Sequence, residues 1–214
     1  LSLHDALPIY LIAENKEDEF NRLIQKSYDF TLAIALPMTI GLIFCAPSLI
    51  TALCGVKFEH SILPSQIIAP IILMVAISNV FGIQVLFPKG KINIVTLCCG
   101  IGAVADLMLN LCLIPLFSYI GTSIAYLGAE VATTVSMYFI GRRYIPIIYF
   151  KKSHLTYALG CIVMAFALYG LSLLQLPTLT ILLLQGCCGV LAYFIILCIC
   201  KDEMLVQILS KIKR

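Results

Sequence analysis

The chain contains six long apolar segments, and this feature limits its fold more than any other. The segments cover residues 28–56, 62–88, 92–117, 120–141, 154–175 and 178–200. Each reaches or exceeds the roughly 20 residues with which a helix crosses a hydrocarbon core of about 30 Å. A water-soluble domain has no use for six consecutive runs of this length. The sequence therefore predicts an all-α integral membrane protein with six transmembrane helices.

The composition agrees with a membrane protein and argues against other classes. Hydrophobic residues make up 61% of the 214 positions and charged residues 12%, against roughly 45–50% and about 25% in a soluble domain. The net charge of +3 comes without a basic cluster interleaved with aromatic residues, so we expect no nucleic-acid partner. The sequence also lacks an arginine-rich voltage sensor, a selectivity filter and a phosphate-binding glycine loop.

The ten cysteines and three histidines follow no metal-binding or disulfide pattern. Most of the cysteines lie inside the apolar segments, no CxxC pair occurs, and the histidines are far apart. A cysteine in such a setting behaves as a small apolar residue. We therefore expect no metal site, no cofactor and no catalytic nucleophile, and hence no enzyme.

The distribution of lysine and arginine predicts the orientation of the segments. If the segments alternate in direction, thirteen of these residues fall on one side of the membrane and Lys57 alone falls on the other. Positive residues are retained on the cytoplasmic side of membrane proteins. We therefore expect both ends of the chain to be cytoplasmic.

The same features divide the chain into five parts. The chain begins with Leu1, no signal peptide is expected, and its first residues look like sequencing-adapter read-through. Two stretches outside the apolar segments are amphipathic and are expected to lie at the membrane surface. In chain order, the parts are a non-native leader at 1–9, a cytoplasmic amphipathic segment at 10–27, four transmembrane helices at 28–145, two more at 146–200, and a basic cytoplasmic amphipathic tail at 201–214.

Ionisable residues inside membrane segments are costly, which makes two carboxylates candidates for function. Asp106 lies in the middle of the third segment, with Asn110 one helical turn later on the same face. Glu130 lies near the middle of the fourth segment. A carboxylate in a low-dielectric, hydrated cavity has a raised proton affinity, so it can bind and release a coupling ion. The alternative is a structural role, because polar residues also join membrane helices.

Neutral polar and small residues supply further candidates. Asn79 and Gln84 flank Gly82 in the second segment and can either contact substrate hydroxyls or bridge helices. Gly121, Ala125 and Ala129 are spaced four residues apart, a pattern that favours close helix packing. Gly102 extends the Asp106 face with a small residue and is also assigned to helix packing.

Several short motifs together resemble one transporter family. They are YLIAENK at 10–16, LP at 36–37, GL at 41–42, APSLI at 46–50, ISNVFGIQ at 77–84, PKGK at 88–91, DLMLNLCLIP at 106–115 and GTSIAYLGAE at 121–130. The combination is similar to the bacterial oligosaccharide-lipid flippases, whose superfamily includes multidrug exporters and the lipid II flippase. The likeness covers residues 10–145, and the last two segments match by hydropathy. Asp106 departs from the pattern, since many relatives carry a neutral residue such as Asn there.

The resemblance implies a fold, a function and a location in a bacterial inner membrane. The chain would form the C-terminal half of a MATE-like transporter, namely its second bundle and a trailing helix pair. The substrate would be an undecaprenyl-pyrophosphate-linked oligosaccharide repeat unit for O-antigen, capsule or exopolysaccharide synthesis. Alternating access would move it across the inner membrane, coupled to protons or sodium ions at Asp106 and Glu130. The partners would be this substrate, the membrane lipids and the coupling ion.

Three other functions are considered. A drug or small-metabolite antiporter of the same fold is the nearest, because fold does not determine substrate. A glycan polymerase or ligase would need a sizeable external loop with catalytic residues, whereas the expected external connections are very short. A purely structural membrane subunit would leave the family-like motifs unexplained.

Overall fold

A computed structural model describes residues 8, 10–12, 14, 16–149, 151–174 and 176–200. The described part is helical, without a β-strand. It contains six helices that are long and apolar enough to cross a membrane, which confirms the predicted fold class. They are α1 (Glu17–Cys54), α2 (Val56–Leu86), α3 (Ile92–Phe117), α4 (Tyr119–Gly141), α5 (Lys152–Ser172) and α6 (Thr178–Ile199).

Helix α1 is longer than the first apolar segment predicts. It has 38 residues, which corresponds to about 57 Å at 1.5 Å per residue, well beyond a hydrocarbon core of about 30 Å. The expected amphipathic segment at 10–27 overlaps it, because residues 17–27 continue into the apolar part as one helix. Most of the expected leader at 1–9 and all of the tail at 201–214 lie outside the described residues.

Helix α2 is composite. It begins with a 3₁₀ segment, Val56–Ser61, continues through two α-helical segments, Ile62–Ile68 and Ile71–Asn79, and ends with a π-helical segment, Val80–Leu86. The π geometry is visible in the bond from the amide of Phe87 to the carbonyl of Gly82, at 2.8 Å. Such wide turns are frequent at functional sites.

The described chain forms two compact units. Unit 1 consists of Leu1–Leu32 and Ile71–Tyr149, and unit 2 consists of Ala33–Pro70 and Phe150–Arg214. Unit 1 thus contains the start of α1, the end of α2, and α3 and α4. Unit 2 contains the rest of α1, the start of α2, and α5 and α6.

Unit 2 includes a proline in α1 whose effect on the helix is offset by another helix. Pro37 has no amide hydrogen, so the carbonyl of Ala33 loses its intrahelical donor. The hydroxyl of Tyr193 in α6 donates a hydrogen bond to that carbonyl at 2.8 Å. A bilayer offers no water to an unpaired carbonyl. The bond from Tyr193 therefore satisfies the carbonyl that the proline leaves free, and it also joins α6 to α1.

The effect of the second proline of α1 is offset in the same way, by a side chain of another helix. Pro47 deprives the carbonyl of Ile43 of its donor. The side-chain amide of Gln66 in α2 donates to this carbonyl at 2.9 Å. The two bonds show why α1 can contain two prolines and remain one helix.

In unit 1, α3 and α4 form a tight antiparallel hairpin. A single residue, Ser118, connects them with a positive φ of 52°. Small residues let the helices approach closely, because a Cβ atom at Gly121 would lie 2.3 Å from the carbonyl oxygen of Leu113. Apolar side chains on the outer faces, among them Leu107, Leu111 and Val131, are exposed, as suits helices that meet lipid.

Candidate functional site

All five polar residues predicted for substrate or ion coupling lie in unit 1. Asp106 is half-buried on α3. It lies four residues after Gly102, three before Leu109 and seven before Leu113, and these three residues contact α4. At helical spacing, Asp106 therefore shares the face of α3 that packs against α4.

Asn110 follows Asp106 by one turn and is bonded to it through the backbone. Its side-chain nitrogen donates to the carbonyl oxygen of Asp106 at 2.9 Å. Its side-chain oxygen is buried and accepts no hydrogen bond in the described structure. A buried acceptor without a donor is costly. The Asn110 amide and the Asp106 carboxylate both contain oxygen atoms of the kind that hard cations prefer.

Glu130 is half-buried on α4, near the side that faces α2. Thr134, one turn later, donates to the carbonyl of Met74 in α2 at 3.2 Å and to that of Glu130 at 2.9 Å. Met137, seven residues after Glu130, lies 3.6 Å from the position of a Cβ atom at Gly82 in α2. Thr134 and Met137, on the same face of α4 as Glu130, thus join α4 to α2.

The two carboxylates lie at the same depth in the bundle. Gly102 lies against Ala129 and Thr133, and the Leu109 side chain lies against Gly128. On α3, Asp106 lies between Gly102 and Leu109. On α4, Glu130 lies between Gly128 and Thr133, the residues that these two contact. The hairpin therefore brings both carboxylates to one level on adjacent helices, with Asp106 directed towards the α3–α4 contact and Glu130 towards the α2 side.

In the described structure, no hydrogen bond joins Asn79 or Gln84 to Asp106 or Glu130. Asn79 is exposed at the end of the α-helical part of α2. Gln84 lies within the π-helical segment, and its side-chain oxygen accepts a short hydrogen bond from the hydroxyl of Ser27 in α1. This bond joins the π-helical segment to α1 within unit 1.

The four residues assigned to packing lie at the α3–α4 contact or are buried in α4. A Cβ atom at Gly102 would lie 1.9 Å from the Thr133 hydroxyl oxygen, a distance that no real contact allows. Gly121 approaches the α3 backbone closely, as described above. Ala125 and Ala129 are buried on α4. Close contact between helices of this kind is typical of membrane bundles.

Sequence reasoning missed a buried carboxylate. Asp29, on α1, is only 8% exposed and accepts a hydrogen bond from the side chain of Gln25 at 2.7 Å. Gln25 also bonds both backbone groups of Ile148, which follows α4. The signal was available, since Asp29 is ionisable and lies at the start of the first predicted segment.

Sequence reasoning also missed a buried amide in unit 2. Gln185, on α6, is 1% exposed, and neither polar atom of its side chain has a hydrogen-bond partner in the described structure. It is the single amide side chain of the last apolar segment. That isolation among apolar residues was the signal that could have identified it.

Aromatic side chains pack at the end of unit 1 that contains the 142–149 connection. Tyr149 lies 6.0 Å from Tyr28, 6.4 Å from Phe81 and 5.3 Å from Tyr138, measured between ring centroids. Burial, and then the neighbouring phenols of Tyr138 and Tyr28, raise the pKa of Tyr149 to about 12. The cluster holds the connection after α4 against α1 and α2.

No group of three or more His, Cys, Asp or Glu residues that could hold a metal ion occurs in the part of the chain described here. What the site offers chemically is a pair of half-buried carboxylates and one unpaired amide oxygen between apolar helices. Carboxylate and amide oxygens are groups that can bind a small cation.

Comparison with solved structures supports the fold. A structure described as the lipid II flippase MurJ in its inward closed conformation is similar in fold, with a TM-score of 0.79 at 17% identity. The match covers 94% of this chain and 43% of that chain, so this chain spans less than half the length of the protein it matches. No curated protein matches it significantly.

The sequence itself matches the model of the family described as lipid II flippase MurJ, over residues 10–186. That description is of a transporter, in agreement with the expectation that the chain is not an enzyme. The match agrees with the coarser part of the predicted resemblance, a family of flippases for lipid-linked molecules, but it is not specific to oligosaccharide repeat units. The chain belongs to the lipid II flippase MurJ family.

Proposed function

We propose that the chain is the second half of a flippase that moves lipid II, a lipid-linked peptidoglycan precursor, across the bacterial inner membrane. The match to the family over residues 10–186 is the observation that carries this proposal. The similar solved structure is more than twice as long as the matched part. The chain would therefore supply the second bundle and a trailing helix pair, and the first half would supply the other wall of the cavity.

The site supports transport driven by an ion gradient. Asp106 and Glu130 lie at one depth on two adjacent helices, and Asn110 presents an unpaired oxygen one turn from Asp106. Loading a carboxylate with a proton or a cation removes its charge and so lowers the cost of its burial. The loaded and empty forms then favour different packings of α3 and α4, as alternating access requires.

The distribution of positive residues supports the proposed orientation. Four basic residues lie next to the ends of α2, α3 and α4, and all four would be cytoplasmic. They are Lys89, Lys91, Arg142 and Arg143. Both ends of the chain would then also be cytoplasmic.

A second substrate is favoured by the short motifs. Those at 77–91 and 106–130 resemble oligosaccharide-lipid flippases, whose substrates are undecaprenyl-pyrophosphate-linked repeat units. Both substrates are glycans on a lipid carrier, so the fold alone does not distinguish them.

The test uses the complete gene product in two host strains. One strain is depleted of its own lipid II flippase, and the other lacks its repeat-unit flippase. We expect growth and the appearance of lipid II at the outer face to return in the first strain, without return of surface polysaccharide in the second. The opposite pattern would establish the oligosaccharide substrate, and failure in both strains despite verified expression would overturn the proposal.

Neutral substitutions then test ion coupling. Asp106→Asn and Glu130→Gln keep the shape of each side chain and remove its charge. We expect transport to fall at least tenfold in each, with the dependence on the ion gradient lost. Glu59→Gln, at an exposed position in the 3₁₀ segment of α2, is the matched control and should transport normally. Full transport with both charges removed would exclude these residues from coupling.

A further inference from the structure

We propose that four cations around Tyr144 form a binding surface for the headgroups of acidic membrane phospholipids. They come from two separate connections of unit 1, the α2–α3 turn and the residues after α4. We call them the Tyr144 cation cluster, and its members are Lys89, Lys91, Arg142 and Arg143.

Direct contacts place the two connections together. The Lys89 ammonium donates a hydrogen bond to the carbonyl oxygen of Tyr144 at 3.0 Å. The Lys91 ammonium lies 5.1 Å from the centroid of the Tyr144 ring. Arg142 and Arg143 immediately precede Tyr144 and are exposed. Two lysines therefore contact Tyr144 and two exposed arginines precede it directly in the chain, although more than fifty positions separate the two pairs in the sequence.

Among the residues that the structure describes, these charges have no carboxylate partner. Within the described residues the ion pair found joins Lys16 to Glu14, and none of the four cluster residues pairs with a carboxylate. Lys89 is instead held by a carbonyl and by the ring of Phe20, 5.2 Å from its ammonium. Four cations brought together without a counter-charge repel one another, so a bound anion lowers the energy of the arrangement.

The position of the cluster identifies the anion. The four residues lie just beyond the ends of α2, α3 and α4, each of which is apolar enough to span a membrane. One turn before Arg142, Tyr138 and Phe139 are exposed on α4, and aromatic residues of this kind mark the headgroup level of a bilayer. Phosphate groups of acidic lipids occupy that level and attract basic residues there. A lipid headgroup is thus the anion that the surface meets.

The experiment measures the affinity of the complete protein for phosphatidylglycerol in phosphatidylcholine nanodiscs, by displacement of a fluorescent acidic phospholipid. Arg142→Gln combined with Arg143→Gln should weaken binding about thirtyfold, since each cation at an anionic surface contributes roughly a fivefold factor. Changing both arginines to lysine keeps the charge and should retain most of the binding. Lys57→Gln removes one exposed cation from the 3₁₀ segment that begins α2 and should have no effect.

Three results would overturn the proposal. The double glutamine variant could bind phosphatidylglycerol as tightly as the parent protein. The loss per charge could be equal for Lys57→Gln, which would indicate attraction by net charge alone. Inorganic pyrophosphate could displace the fluorescent lipid as well as phosphatidylglycerol does, which would indicate a site for a free phosphate group. Lipid flipping is not part of the readout, so the result does not depend on the proposed function.

Discussion

Replacing Gly102 by alanine should separate α3 from α4, and the structure gives the size of the effect. The new Cβ atom would lie 1.9 Å from the hydroxyl oxygen of Thr133, whereas real Cβ contacts are essentially never shorter than 3.0 Å. The hydroxyl must therefore move by more than 1 Å. To do so, Thr133 must give up its 3.0 Å hydrogen bond to Ala129, or the helices must move apart. Overpacking of this kind costs about 1–3 kcal/mol.

Two control variants isolate the steric term. Gly100 lies in the same helix with nothing within 4 Å of its Cβ position, so Gly100→Ala should be neutral or stabilise by up to about 1 kcal/mol through helix propensity. Thr133→Ala removes the clashing oxygen and should restore most of the stability of Gly102→Ala. At Gly121 the clash is with the backbone oxygen of Leu113, so truncating Leu113 should not rescue Gly121→Ala.

The measurement is reversible unfolding of each variant in mixed micelles with increasing sodium dodecyl sulfate, followed by circular dichroism. A double-mutant cycle on Gly102 and Thr133 gives their coupling free energy, which we expect to be about 1–2 kcal/mol. Additive effects, or equal stability for Gly100→Ala and Gly102→Ala, would refute the close contact of α3 with α4 at this level. That contact also sets the common depth of Asp106 and Glu130, so the same result would remove the basis for pairing them.

Three further predictions concern other parts of the chain. Tyr193→Phe should destabilise the chain by about 1–3 kcal/mol, because the carbonyl of Ala33 would be left unpaired in an apolar setting. Gln66→Leu should have a similar effect through the carbonyl of Ile43. Unchanged unfolding curves would contradict both predictions. Gln185→Leu should raise stability by about 1–3 kcal/mol, since it removes a buried amide without hydrogen bonds, and a loss of stability would show that the amide has a role. The folded state raises the pKa of the Tyr149 phenol to about 12. The contribution of Tyr149 to stability should therefore be constant below pH 10 and should fall as the pH rises from 10 towards 12, a loss that Tyr149→Phe should remove.

The sequence alone was sufficient to predict the membrane class, the six helices and their order. The reason is that a bilayer imposes a simple rule, about 20 apolar residues for each crossing. It was also sufficient to single out Asp106 and Glu130, because a charge in an apolar run is visible without any coordinates. The start of α1 was missed, since amphipathic residues 17–27 look like a separate surface helix when read alone.

What only the tertiary structure decided is which residues meet. The common depth of Asp106 and Glu130 depends on the register of the α3–α4 hairpin, and that register follows from contacts such as Gly102 with Thr133. The roles of Tyr193 and Gln66 depend on carbonyls freed by prolines in another helix. The Tyr144 cation cluster joins two connections that hydropathy treats as unrelated. Hydropathy is a local property of each segment, whereas contacts between segments are set by side-chain packing over the whole fold, and for that reason the helices could be predicted and the partners of their residues could not.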